Sequence, residues 1–180
     1  MICSSSEDVV AEETRRMFGD LKGKHALDFG TGTGVTAMKL RMCGADVTTV
    51  SLSQAPAVIA QLTAEGIQAL IVPDVRDEKV QLPFPENSFD VIYASAVLQE
   101  AAIDREKLMR IQREMFRVLK LNGMYVLNER VHLWRHPRFF SAGTMCRSLT
   151  DSKWSIEELH LSTDKDAESA QLLVQSIKRA

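Results

Sequence analysis

Apolar runs and amphipathic stretches take turns along this chain. The run at 25–29 (HALDF) and the β-branched run at 46–52 (DVTTVSL) read as strands, as do 67–72, 89–94 and 124–128. Helical spacing fills the gaps. The first helix covers 35–42 and stops at Gly44. A second starts from Ser53 as cap, with Pro56 in its first turn, and runs to about Glu65 before Gly66. The strongest spans 104–120, where Asp104 caps an apolar stripe of Leu108, Ile111, Met115, Val118 and Leu119 that Asn122-Gly123 ends. A leading helix over 4–18 takes Ser6 as cap, with Glu7 and Asp8 in its first turn. Past residue 130 the pattern predicts a helix over 137–149 and strands over 154–161 and 170–177. The linker between those strands is too short for a helical crossover, so they pair antiparallel. The alternation predicts one doubly wound α/β domain over residues 1–180: a mostly parallel, seven-stranded, Rossmann-like sheet with an antiparallel closing strand.

The first strand ends in an acid, Asp28, and three glycines follow at alternate positions, Gly30, Gly32 and Gly34. Glycine turns the backbone through positive φ and has no Cβ to hold a ligand away. The helix start beyond offers unpaired N–H groups, and Asp28 can face a cation. This predicts a small-molecule pocket built mainly from backbone, against the plainer reading of a tight turn without a ligand. Dinucleotide-binding turns read G-x-G-x-x-G, and here the third glycine comes one residue early, which disfavours an oxidoreductase. No G-x-x-x-x-G-K-[ST] nucleotide loop is present.

Composition narrows the setting. Of 180 residues, 45% are hydrophobic and 26% charged, as in an ordinary globular chain, and a net charge of −2 gives no bulk attraction to nucleic acid or an anionic membrane. Cys3, Cys43 and Cys146 are scattered and lack metal-ligand spacing, so a reducing, cytoplasmic setting and no metal are expected. The polar, acidic N-terminus is not read as a targeting or lipidation signal, and no apolar run reaches membrane-spanning length.

Three segments together resemble the class I S-adenosylmethionine-dependent methyltransferases, in their small, type-11-like form. LDFGTGTG is similar to that family's first motif, PDVRDEKVQLPFPENSFDVIYASAVLQE to the segment covering the third and fourth strands, and VLKLNGMYVLNE to the fifth strand and the turn before it. The resemblance covers residues 21–130, which it makes the cofactor-binding core, between a leading helix at 1–20 and a substrate-side segment with closing strands at 131–180. It implies S-adenosylmethionine as cofactor and S-adenosylhomocysteine as product. Gly30, Thr31, Gly32 and Gly34 then let the backbone approach the methionine part, with Asp28 near its ammonium. Ser51 and Leu52 fall at the ribose, Asp74 and Val75 at the adenine, and Ser95 near the sulfonium. For Asp74 the alternative is a cap after Pro73.

One position departs from the family pattern: an acid usually ends the second strand and holds both ribose hydroxyls, and Ser51 stands there instead. A neutral hydroxyl cannot supply two charge-strengthened acceptors. Either cofactor affinity is reduced, or the fold serves as a catalytically weak or silent binding subunit of a complex. Methyl transfer is an in-line displacement governed mainly by alignment, so an obvious acid–base pair is not required. Glu100 and Gln99 are the candidates on the substrate side, with Glu100 as a base or a cation-binding group; a solvated loop start is the alternative. The absence of [DN]-P-P-[YFW] after the fourth strand disfavours amide or adenine-amine acceptors.

The stretch 130–140 (RVHLWRHPRFF) interleaves basic and aromatic residues; it either clamps an anionic substrate or RNA, or packs as a linker. Arg110, Arg113 and Arg117 line one helical face, read as solvated. Short linkers predict an open site, suited to a protein or RNA acceptor or to closure by a partner subunit or second copy. A small molecule is the remaining acceptor class, and no membrane partner is expected.

Overall fold

The computed structural model describes residues 19–74, 81–98, 105–132, 141–151, 153–163 and 169–179. These carry seven strands and four helices, the mostly parallel Rossmann-like complement expected. They fall into two compact units, Met1–Ile71 and Val72–Ala180. The expected leading helix and the Asp104 cap lie outside the described residues, as does the stretch 133–140. No described helix is long and apolar enough to cross a membrane.

The first unit has three parallel strands in the order β3-β2-β1: β1 is His25–Phe29, β2 Asp46–Ser51 and β3 Gln68–Ile71. Helices α1 (Val35–Met42) and α2 (Pro56–Ala64) make the crossovers. Ala26, Leu27, Asp28 and Phe29 are all buried, the near-continuous burial of a strand covered on both faces. Gly34 caps α1 at φ 82°, and a Cβ there would meet Leu62 of α2 at 3.0 Å, so the third glycine of the turn serves helix packing. The cap of α2 differs from expectation. Ala55, in extended conformation, precedes Pro56, and no side chain caps the helix. Proline's fixed φ starts the helix without help, which leaves Ser53 outside it.

The second unit orders its strands β4-β5-β7-β6, with β4 at Phe89–Ser95, β5 at Leu119–His132, β6 at Trp154–Thr163 and β7 at Ser169–Lys178. β4 and β5 run parallel, while β7 is antiparallel to both β5 and β6, as the short linker required. Helix α3 spans Arg105–Val118 and α4 spans Ala142–Asp151. Here the sequence expectation needs correcting at one junction. The helix stops at Val118 and β5 starts at once, with Leu119 opposite Phe89; the register then shifts, so that Val91 faces Met124. Asn122 (φ 59°) and Gly123 therefore belong to an irregularity inside the strand pairing and do not end the helix. A Cβ on Gly123 would lie 2.8 Å from both Leu119 Cγ and the Lys120 carbonyl oxygen. Gly123→Ala is expected to cost about 1–3 kcal/mol through this overpacking, read as a lowered urea midpoint at unchanged slope.

Arg117 is the second correction. It is not on a solvated face: its guanidinium donates to Glu114, to the Phe84 carbonyl (2.9 Å) and to the Leu82 carbonyl (3.1 Å). Glu114 also accepts from the Leu82 N–H at 2.8 Å. Main-chain bonds from Asn87 to the Arg117 carbonyl and from Ser88 to the Val118 carbonyl complete the attachment. The loop LPFPENS, the most distinctive part of the middle motif, is thus tied to the end of α3.

Candidate functional site

The first unit builds its glycine turn against β2. Gly30 and Thr31 donate their N–H groups to the Val50 carbonyl at 2.9 and 3.2 Å, and Gly34 closes back on the Thr31 carbonyl at 2.7 Å. Gly30, Gly32 and Gly34 all have positive φ (99°, 50° and 82°). A Cβ on Gly32 would meet nothing nearer than the Gly30 carbonyl oxygen at 4.0 Å. Among the described residues, the middle of the turn is therefore open on the side a side chain would occupy. Gln54 reaches back from the loop after β2 and donates to the Gly32 carbonyl at 2.9 Å.

Beneath the turn runs a chain of three side chains. Thr49 lies opposite Asp28 in the β1–β2 register. Its hydroxyl lies 2.8 Å from Asp28 Oδ2 and 2.8 Å from the Thr31 hydroxyl. An ionised carboxylate only accepts, so Thr49 donates to Asp28 and Thr31 donates to Thr49. The other oxygen, Asp28 Oδ1, is buried without a hydrogen-bond partner among the described residues. Burial pushes the carboxyl up from 3.8 to about 7, against the opposing pull of the Thr49 hydrogen bond. Thr49 was missing from the sequence reading, because only strand register places it beside Asp28.

At the end of β2, the Ser51 hydroxyl donates to the Ser53 carbonyl at 2.6 Å. Its proton is committed to that turn, and its lone pairs remain for a donor. Leu52 is exposed just beyond, as is Ile71 at the end of β3.

In the second unit Ser95 is the last residue of β4 and half-buried; Asp74 is also half-buried. Val75, Gln99 and Glu100 lie outside the described residues. The unit adds a residue that the sequence reading passed over. Glu129 is fully buried near the end of β5, and its Oε1 accepts from the N–H groups of Val97 and Leu98 at 2.8 and 3.0 Å.

Residues 27–127, more than half of the chain, match the methyltransferase domain family. The chain belongs to that family. Its relatives include the sterol 24-C-methyltransferase of Pneumocystis carinii, 32% identical over 118 residues, covering 64% of this chain and 30% of that one. They also include the demethylmenaquinone methyltransferase of Tropheryma whipplei, 31% identical over 127 residues, covering 71% of this chain and 48% of that one. This chain therefore spans less than half the length of either relative. Among solved structures, it resembles the geranyl diphosphate C-methyltransferase of Streptomyces coelicolor A3(2), crystallised with S-adenosyl-L-homocysteine. The TM-score there is 0.73 at 16% identity, over 96% of this chain and 79% of that one. The methyltransferase resemblance drawn from the sequence stands.

Proposed function

We propose that this methyltransferase-family chain binds S-adenosylmethionine at the glycine turn and directs its methyl group to an acceptor by in-line displacement. The observation that carries this reading is Asp28 Oδ1, a buried carboxylate oxygen without a partner among the described residues, beside a turn whose middle glycine meets none of them closely. A buried carboxylate is costly unless something cationic or a donor completes it. The α-ammonium of an amino acid is such a group, and the residues fit it.

When bound, the cofactor supplies a methyl group on a positively charged sulfur, which leaves as a neutral thioether. The chain's own task is orientation. Asp28 holds the ammonium, with Thr49 and Thr31 fixing the carboxylate's rotamer. Gly30, Thr31, Gly32 and Gly34 admit the methionine part against main-chain atoms. Ser51 accepts from a ribose hydroxyl while Leu52 offers the adenosine an apolar contact. The family resemblance assigns Asp74 and Val75 to the adenine, Ser95 to the sulfonium, and Gln99 and Glu100 to the acceptor. Both the adenine assignment and the acceptor-facing pair rest on the family resemblance.

Ser51 favours a second reading, in which the fold is kept as a binding subunit with weak or no turnover. Calorimetry with S-adenosylmethionine and S-adenosylhomocysteine separates the two. Ser51→Asp is expected to tighten both ligands by about tenfold to a hundredfold, since a hydrogen bond to an ionised acceptor is worth roughly 1.5–3 kcal/mol. Detectable binding by the native chain, strengthened in the variant, supports the enzyme. No heat from either protein at millimolar ligand would leave only the binding-subunit reading.

A further inference from the structure

We propose that Glu129 is a positioning residue: its carboxylate fills a main-chain anion nest behind β4 and so fixes residues 95–98, where the acceptor side of the reaction begins. The acceptor side is defined by the methyltransferase reading above, and this inference rests on it.

The local geometry is specific. Ala96 sits at φ 53°, a left-handed conformation uncommon for a residue with a Cβ. Its N–H donates to the Asn128 carbonyl at 3.0 Å, continuing the pairing of Ser95 with Asn128 for one more residue. The next two N–H groups, of Val97 and Leu98, then converge on one oxygen of Glu129 at 2.8 and 3.0 Å. Successive N–H groups pointing at one spot after such a bend form a concavity for an anion. The anion here is supplied by the chain itself.

Packing alone does not account for an acid at this place. Glu129 is fully buried, and Leu127 and Val131, two residues away on either side, are buried apolar groups of the same strand. An apolar side chain would fill such a position without desolvating a charge. What the carboxylate adds is the hold on two amides that would otherwise be orphaned beside a buried Leu98. Open α/β sheets bind ligands beyond the carboxyl ends of their strands, and the segment leaving β4 is at such an end. Glu129 thus sets where the chain departs from β4, through Val97 and Leu98.

The test uses Glu129→Ala and Glu129→Gln in the full chain, with amide exchange read residue by residue. In Glu129→Ala, exchange at Val97 and Leu98 is expected to accelerate at least tenfold, while Tyr125 and Leu127 in β5 keep their protection. Added formate, small enough to enter the vacated nest, is expected to slow exchange at those two amides again. Glu129→Gln retains an oxygen acceptor and is expected to keep most of the protection. Loss of protection spread evenly over β5 and β7 in both variants, or unchanged protection at Val97 and Leu98, would overturn the proposal. Should the alanine variant not fold, the glutamine variant decides: unprotected Val97 and Leu98 despite the retained acceptor refute the nest. If the native chain binds no cofactor, the methyltransferase reading fails on its own, while the exchange pattern still reports on the nest.

Discussion

Asp28→Asn is expected to weaken S-adenosylmethionine binding at least a hundredfold while making the free protein more stable at neutral and alkaline pH. Both effects follow from one buried carboxyl raised to about 7 by burial. Folding makes this group hold its proton more tightly than the unfolded chain does. Its favourable contribution is therefore complete below about pH 3.8 and is lost as pH rises through 7. Each unit of displacement corresponds to about 1.4 kcal/mol, so keeping the group ionised above pH 7 costs on the order of 4 kcal/mol. Asparagine removes that cost, and thermal unfolding of the variant should lack this pH dependence. A cationic ligand, conversely, needs the ionised form. Affinity for the cofactor should climb by up to tenfold per unit between pH 5 and 7 and then level off, with one proton released per ligand bound below pH 7. Calorimetry in buffers of different ionisation enthalpy reads that proton directly. A flat affinity across this range would show that Asp28 does not meet the ammonium.

Arg117→Ala is expected to destabilise the protein by about 1–3 kcal/mol, the usual effect of leaving buried acceptors without their donor. Glu114, only 10% exposed at its side chain, would lose its counter-charge, and the Leu82 and Phe84 carbonyls would lose their donor. Glu114 also raises the Arg117 pKa, through its hydrogen bond first and against the lowering by burial. Denaturant unfolding measures the loss, and the double variant Glu114→Ala/Arg117→Ala should lose less than the sum of the single changes. Additive effects would mean that the two groups do not act together.

The parts of the fold that were legible in the sequence are those fixed by local chemistry. β1 and α1 begin and end where the apolar runs and Gly34 place them, because a positive-φ glycine leaves little freedom in how a strand passes into a helix. The closing hairpin followed from linker length alone. What stayed hidden depends on partners distant in the chain. Asn122-Gly123 suits either a helix end or a strand irregularity, and only the pairing of Leu119 with Phe89 decides between them. Arg117 shares a spacing with Arg110 and Arg113, yet it bonds to a loop about thirty-five residues earlier in the chain, with Leu82 as the far partner. At the candidate site, the glycines and Asp28 were visible as a motif. Thr49 and Glu129 were not, since one acts through strand register and the other through main-chain amides on a neighbouring strand.

The strand order of the second unit also bears on how the chain assembles during synthesis. β7 follows β6 in sequence but lies between β5 and β6. Until β7 has left the ribosome, β6 has no neighbour to dock on, and the flank of β5 that will face β7 stays bare. Nascent chains stalled within this interval would expose the bare flank of β5 and an unpaired β6 at once, the condition in which chaperones and premature self-association compete.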